Sequence, residues 1–78
     1  MAYPEKQITN LDEITEADVT YIRPSGQYVR IENDNLGDGP CFTIHRKGLY
    51  NFVTQGDKVR SWKTLAGAIR FVKKNFTL

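Results

Sequence analysis

Turn residues divide the middle of the chain into short runs of β-branched and aromatic residues. In VTYIRPSGQYVRIEND, residues 19–34, two such runs flank Pro24, Ser25 and Gly26. Proline presets one dihedral angle of a turn and glycine permits a positive φ, so this stretch predicts a β-hairpin. Connections this short make neighbouring strands antiparallel, because a parallel pair needs a crossover of a dozen or more residues. The pattern therefore predicts an antiparallel meander.

The later runs extend this meander to four or five strands. NDNLGDGP, residues 33–40, concentrates turn-forming residues and predicts an exposed loop. After it, CFTIHRK and LYNFVTQ flank Gly48 and indicate a second hairpin. KVRSW follows the turn QGDK and predicts a short last strand.

A short helical turn is predicted near the start of the chain. Asn10 can act as an N-cap, and Glu13 three residues later completes a capping-box arrangement that satisfies free amide groups. The turn is expected to run from Leu11 to about Asp18.

An amphipathic helix is predicted at the end of the chain, beginning near Ser61 or Thr64 and ending at about Asn75. At 100° per residue, five apolar side chains share one sector that would face a core. These are Leu65, Ala68, Ile69, Val72 and Phe76. The predicted fold is therefore a small α+β domain over residues 1–78, an antiparallel sheet with this helix on one face and a short N-terminal helical turn.

The opposite side of this helix carries a row of basic residues. Lys63, Arg70 and Lys74 lie there, and Phe71 lies at the border of the row. A packed helix needs a polar solvent side, which explains such a row without any ligand. However, the row contains no acid, whereas ordinary solvent faces usually mix both signs. Lys63, Arg70, Phe71 and Lys74 are therefore a candidate site for an acidic partner.

The sheet face turned away from the helix is the second candidate site. Side chains alternate along a strand, so if Ile22, Val29 and Ile44 face the helix, a mixture of aromatic and basic residues faces outward. The predicted partner-binding residues are Tyr21, Arg23, Tyr28, Arg30 and His45. Tyrosine and arginine anchor protein interfaces, and the same mixture suits base stacking with phosphate neutralisation. Cross-strand pairing on an open sheet explains it equally well.

The charge is distributed unevenly along the chain. Residues 1–20 hold five acids against one base, whereas residues 41–78 hold eight bases against one acid, and the formal net charge is +2. Non-specific affinity for nucleic acid depends on neutralising several phosphates, so this low net charge favours a protein partner.

The inventory of reactive residues argues against enzyme chemistry. The sequence has one histidine, His45, and one cysteine, Cys41, which would lie about 13 Å apart on a predicted strand. One of each is too few for a zinc site, so we expect no metal and no cofactor. A lone cysteine favours a reducing, cytoplasmic setting, and the lack of a long apolar run predicts no membrane span.

The sequence thus predicts a non-enzymatic protein-binding module, of the kind that serves as a small regulatory or inhibitory accessory protein. The alternative is a nucleic-acid-binding domain that uses the outer sheet face or the basic helix face.

Overall fold

A computed structural model describes residues 3–34, 39–46, 53–56 and 58–78. Within these ranges the chain forms a short 3-10 turn at Leu11–Glu13, seven strands and one α-helix. The elements are β1 (Glu5–Gln7), β2 (Thr20–Ile22), β3 (Tyr28–Asn33), β4 (Phe42–Arg46), β5 (Thr54–Gln55), β6 (Lys58–Val59), β7 (Ser61–Trp62) and α1 (Leu65–Asn75). The helix packs on the sheet, which confirms the predicted α+β fold class.

Five of the described strands form one mixed sheet in the order β1-β2-β3-β4-β7. The pairs β2–β3, β3–β4 and β4–β7 are antiparallel, as predicted. The β4–β7 pair departs from the predicted meander, because β7 is not the strand that follows β4 in the chain. Strand β1 was not predicted, and it pairs with β2 in parallel. Residues 8–19 connect these two strands, and they are long enough for the crossover that a parallel pair requires.

Strand β4 pairs with β7 on the side opposite β3, where Phe42 lies opposite Trp62. Strands β5 and β6 form a separate two-stranded hairpin, whose turn includes Gly56 at a φ of 63°. The predicted hairpin around Gly48 lies outside the described residues. One backbone bond nevertheless joins the segment after it to β4, because the Val53 N–H donates to the Ile44 carbonyl at 2.8 Å.

The 3-10 turn has the predicted capping box. The Asn10 side chain accepts from the Asp12 N–H at 2.9 Å, and the Glu13 carboxylate accepts from the Asn10 N–H at 3.0 Å. A second backbone donor, the Thr9 N–H, reaches the same carboxylate at 2.7 Å, and these donors lower the pKa of Glu13. The turn ends before Asp18, because Ile14 adopts an extended conformation and enters the core.

Helix α1 begins after Thr64, whose hydroxyl accepts a hydrogen bond from the Gly67 N–H at 3.0 Å. Its predicted apolar stripe faces the sheet, and Ala68 and Val72 are completely buried. Near the end of the helix, Lys73 forms an ion pair with Asp12 of the 3-10 turn at 3.2 Å. The helix is therefore tied to the N-terminal part of the chain on the core side of the sheet.

The core lies between the sheet and α1. It contains ten buried apolar residues among those described. They are Ile8, Ile14, Tyr21, Val29, Ile31, Phe42, Ile44, Val53, Ala68 and Val72. Within the described residues, no helix has both the length and the apolar character that crossing a membrane requires.

The prediction that Ile22 faces the helix while Tyr21 and Arg23 face outward is wrong. Tyr21 pairs with Val29 across the hairpin, so it lies on the core face of the sheet and is 1% exposed. Ile22 pairs with Tyr28 and lies on the outer face. A tyrosine can occupy the core when its hydroxyl finds polar partners, so its residue type does not decide the face.

Candidate functional site

The outer face of the sheet is centred on Arg30 of β3. Its Nε donates a hydrogen bond to Glu32 Oε2 at 2.8 Å, and its Nη1 donates to Thr20 Oγ1 at 3.0 Å. The guanidinium also lies over two aromatic rings, 4.4 Å from the centroid of Tyr3 and 5.4 Å from that of Tyr28. We call these five residues the Arg30 cluster. Its arginine is fixed in position and its charge is neutralised by a carboxylate.

His45 supports this cluster from β4. It pairs with Arg30 in the strand register, and its Nε2 lies 3.1 Å from Glu32 Oε2. His45 faces outward as predicted, but it is only 9% exposed. Burial lowers the pKa of His45, and the negative charge of Glu32 partly opposes this shift. His45 therefore positions Glu32 and presents little surface of its own.

A shallow cavity of about 440 Å³ opens beside the Arg30 cluster. Its lining, which we call the outer-face pocket, combines aromatic, aliphatic and polar side chains with one acid and one base. The lining residues are Tyr3, Glu5, Thr20, Ile22, Gly26, Tyr28 and Arg30. Tyr3 is 38% exposed, and the nearby charge of Glu32 raises the pKa of its phenol. The pocket thus presents apolar surface with little net charge.

Arg23, predicted for this face, instead holds the end of the chain. Its Nη1 donates to the Thr77 carbonyl at 2.8 Å, its Nη2 donates to Gln27 Oε1 at 3.3 Å, and its guanidinium lies 5.2 Å from the centre of the Phe76 ring. Arg23 is 7% exposed, and burial lowers its pKa. Of the five residues predicted for the outer face, the structure brings together Tyr28, Arg30 and His45.

The predicted basic helix face forms one wall of a groove between the end of the sheet and α1. The groove has a volume of about 450 Å³. Its lining, which we call the β7–α1 groove, consists of Arg60, Trp62, Gly67, Arg70, Phe71, Lys74 and Asn75. Arg70, Phe71 and Lys74 thus come together as predicted, whereas Lys63 is exposed outside the lining.

Two aromatic rings, tilted towards each other, and an arginine form the floor of this groove. The Trp62 and Phe71 rings lie 4.9 Å apart at an angle of 52°. The Arg60 guanidinium lies 5.0 Å from the Trp62 ring centroid and 4.9 Å from the Phe71 centroid. Cation–π contact with two rings restricts the arginine side chain and keeps its charge at the groove.

The cations of the groove have no carboxylate partner among the described residues. The ion pairs between described residues involve Arg30, His45 and Lys73, and the groove lining contains no acid. Arg60, Arg70 and Lys74 therefore leave the β7–α1 groove positively charged, in contrast to the neutralised Arg30 cluster.

Tyr3, Arg60 and Trp62 line these surfaces and were not predicted from the sequence as parts of them. For Arg60 and Trp62 a signal exists, because residues two apart on an extended segment lie on one side and the flanking helix carries Phe71. For Tyr3 there is none, since the strand that follows it, Glu5–Gln7, is entirely polar.

Within the described residues, no group of three or more His, Cys, Asp or Glu side chains is arranged to hold a metal ion. Comparisons with protein-family models, with curated proteins and with solved structures find no match to this chain.

Proposed function

We propose that this protein is a non-enzymatic binding module that recognises a protein partner through the outer face of its sheet. The observation that carries the proposal is the Arg30 cluster, in which an arginine is fixed between Tyr3 and Tyr28 and neutralised by Glu32. Tyrosine and arginine are the residue types that most often dominate the energetics of protein interfaces.

The Arg30 side chain is already ordered in the free protein, which lowers the entropic cost of binding a partner. Binding normally immobilises long side chains, at about 0.5 to 1.5 kcal/mol for each flexible one. Arg30 is already held by two hydrogen bonds and two rings in the free protein, so little of this ordering remains for the complex. A partner can therefore gain contact area at Tyr3, Ile22 and Tyr28 with a small entropic penalty.

The charge state of this face distinguishes a protein partner from a nucleic acid. Phosphate binding releases counterions only where free cations replace them. Arg30 is paired with Glu32, and Glu5 adds a further negative charge to the pocket lining. Apolar area with balanced charge is typical of the centre of a protein interface.

We propose a regulatory or inhibitory role for this module. A 78-residue protein that docks with one sheet face can act by covering a functional surface of its partner. In this proposal the protein has no chemistry of its own, and its effect depends on affinity and on the surface that it covers.

The test compares two double variants of the full chain. Wild-type protein, Tyr3→Ala/Tyr28→Ala and Lys63→Ala/Lys74→Ala are immobilised, and proteins retained from host extract are identified by mass spectrometry. We expect a protein that wild type and the lysine variant retain and the tyrosine variant loses. Calorimetry with that purified protein should then show a loss of more than about 1 kcal/mol for Tyr28→Ala.

Circular dichroism establishes first that each variant is folded. If the lysine variant loses the partner while the tyrosine variant keeps it, the outer face is the wrong surface. Anisotropy titrations with single- and double-stranded oligonucleotides at about 150 mM salt test the alternative function. Submicromolar binding that depends on Tyr3 and Tyr28 would replace the protein partner with a nucleic acid.

A further inference from the structure

We infer that the β7–α1 groove is a second binding site, which takes an acidic segment of a protein partner. The inference is independent of the outer-face proposal, because the groove lies at the β7 end of the sheet and beside α1. It rests on three cations that share one groove and on the lack of an acid in the lining.

Arg60 is the centre of this site. Its guanidinium rests about equally far from the Trp62 and Phe71 rings, at 5.0 and 4.9 Å. The Arg60 backbone N–H donates to the Val53 carbonyl at 2.9 Å, but none of its guanidinium N–H groups donates to an acceptor among the described residues, so these groups are available to a ligand. A planar guanidinium can bind a carboxylate through two parallel hydrogen bonds, and the contacts with both rings hold the Arg60 guanidinium at the groove, where these bonds can form.

Arg70 and Lys74 supply the rest of the positive charge. They lie four residues apart on α1, so their side chains are neighbours on one helix face. Like charges at this spacing repel each other and destabilise the helix slightly. A carboxylate between them relieves this repulsion, so the helix gains stability when the groove is occupied.

An acidic peptide fits the groove better than a nucleic acid. Single-stranded nucleic acids bind by stacking bases on open aromatic faces, but Arg60 already lies over both rings of the floor. Three cations also neutralise few phosphates, and residues 1–20 carry five acids that repel a long polyanion. A short acidic segment that reaches only the groove avoids this repulsion.

The experiment uses the full chain and a fluorescein-labelled oligoglutamate peptide as the probe, with oligoglutamine of the same length as the uncharged control. We expect anisotropy to report binding of oligoglutamate alone, weakening as salt is raised. Arg60→Gln/Arg70→Gln should lower the affinity by about tenfold or more. The charge-matched control, Lys6→Gln/Lys63→Gln, removes two cations outside the groove and should change it by less than about twofold.

Three results would overturn the inference. The first is no binding of oligoglutamate up to about millimolar concentration. The second is an equal loss for both double variants, which would indicate diffuse attraction to the basic half of the chain. The third is tighter, Arg60-dependent binding of oligothymidylate, which would make the groove a nucleic-acid site. If Arg60→Gln/Arg70→Gln is unfolded by circular dichroism, Arg70→Gln/Lys74→Gln takes its place, since both residues are exposed on α1.

Discussion

Replacing Tyr21 with phenylalanine tests whether the hydrogen bonds of its hydroxyl group stabilise the fold. The hydroxyl oxygen accepts hydrogen bonds from the backbone N–H groups of Thr15 at 3.3 Å and Glu16 at 3.1 Å, while the ring is 1% exposed. An intramolecular hydrogen bond contributes about 0.5 to 1.5 kcal/mol. Both bonds are long and their donors lie near the surface, so we expect Tyr21→Phe to lower the free energy of unfolding by about 1 to 2 kcal/mol.

This loss is large for so small a chain. At about 0.05 to 0.15 kcal/mol per residue, the free energy of unfolding of 78 residues is about 4 to 12 kcal/mol. A loss of 1 kcal/mol should lower the melting temperature by about 4 to 8 °C. Tyr21→Ala removes the ring as well, at about 3 to 5 kcal/mol, and should leave the chain close to unfolding.

Urea unfolding followed by circular dichroism measures the effect. Tyr28→Phe is the matched control, because Tyr28 lies on the outer face and its hydroxyl has no hydrogen-bond partner among the described residues. We expect Tyr28→Phe to change the unfolding free energy by less than about 0.5 kcal/mol. Equal stability of Tyr21→Phe and wild type would refute the argument, and lost partner binding without lost stability would return Tyr21 to the interface.

Two further predictions concern the His45 contact and the helix cap. Because burial lowers the pKa of His45, the unfolded chain takes up the proton first as pH falls below about 6.5, so the unfolding free energy should fall there. Urea unfolding at several pH values should show this acid-sensitive component, and His45→Gln should flatten it; an unchanged profile would contradict the assignment. Thr64→Ala should lower stability by about 0.5 to 2 kcal/mol through loss of the N-cap, and Thr64→Ser should restore most of it in thermal melts; equal melting of all three proteins would show that the cap contributes nothing.

The error in the face of β2 was avoidable from the sequence. Residues 24–26 form the loop of the first hairpin, and the Arg23 N–H donates to the Gln27 carbonyl across it. With an odd number of loop residues, each residue of β2 pairs with one of the same parity in β3, so Tyr21 must share a face with Val29. Hydrophobicity alone predicts that Ile22 faces the core, because isoleucine is more hydrophobic than tyrosine. That prediction does not take the loop length into account.

Strand β1 could not be predicted in the same way. Its residues Glu5–Gln7 are all exposed and polar, so they carry neither the alternation nor the β-branched residues that mark a strand. The strand exists because β2 offers a free edge and because Ile8, directly after it, is buried in the core. Pairing of this kind depends on tertiary context, which a local pattern does not contain.

The two candidate surfaces differ in how much of each could be predicted from the sequence. Every residue that lines the β7–α1 groove falls within residues 60–75, so strand alternation followed by helical period is enough to group them. The outer-face pocket joins Tyr3 of the N-terminal segment to Thr20 and to Arg30 of two further strands, and it exists only once β1 has paired with β2. Its charge balance depends on Glu32, which the sequence places two residues after Arg30 on the same face. The ion pair was not predicted from the sequence, although this spacing permits it, and it makes nearly neutral in the folded protein a face for which the sequence indicated aromatic and basic residues.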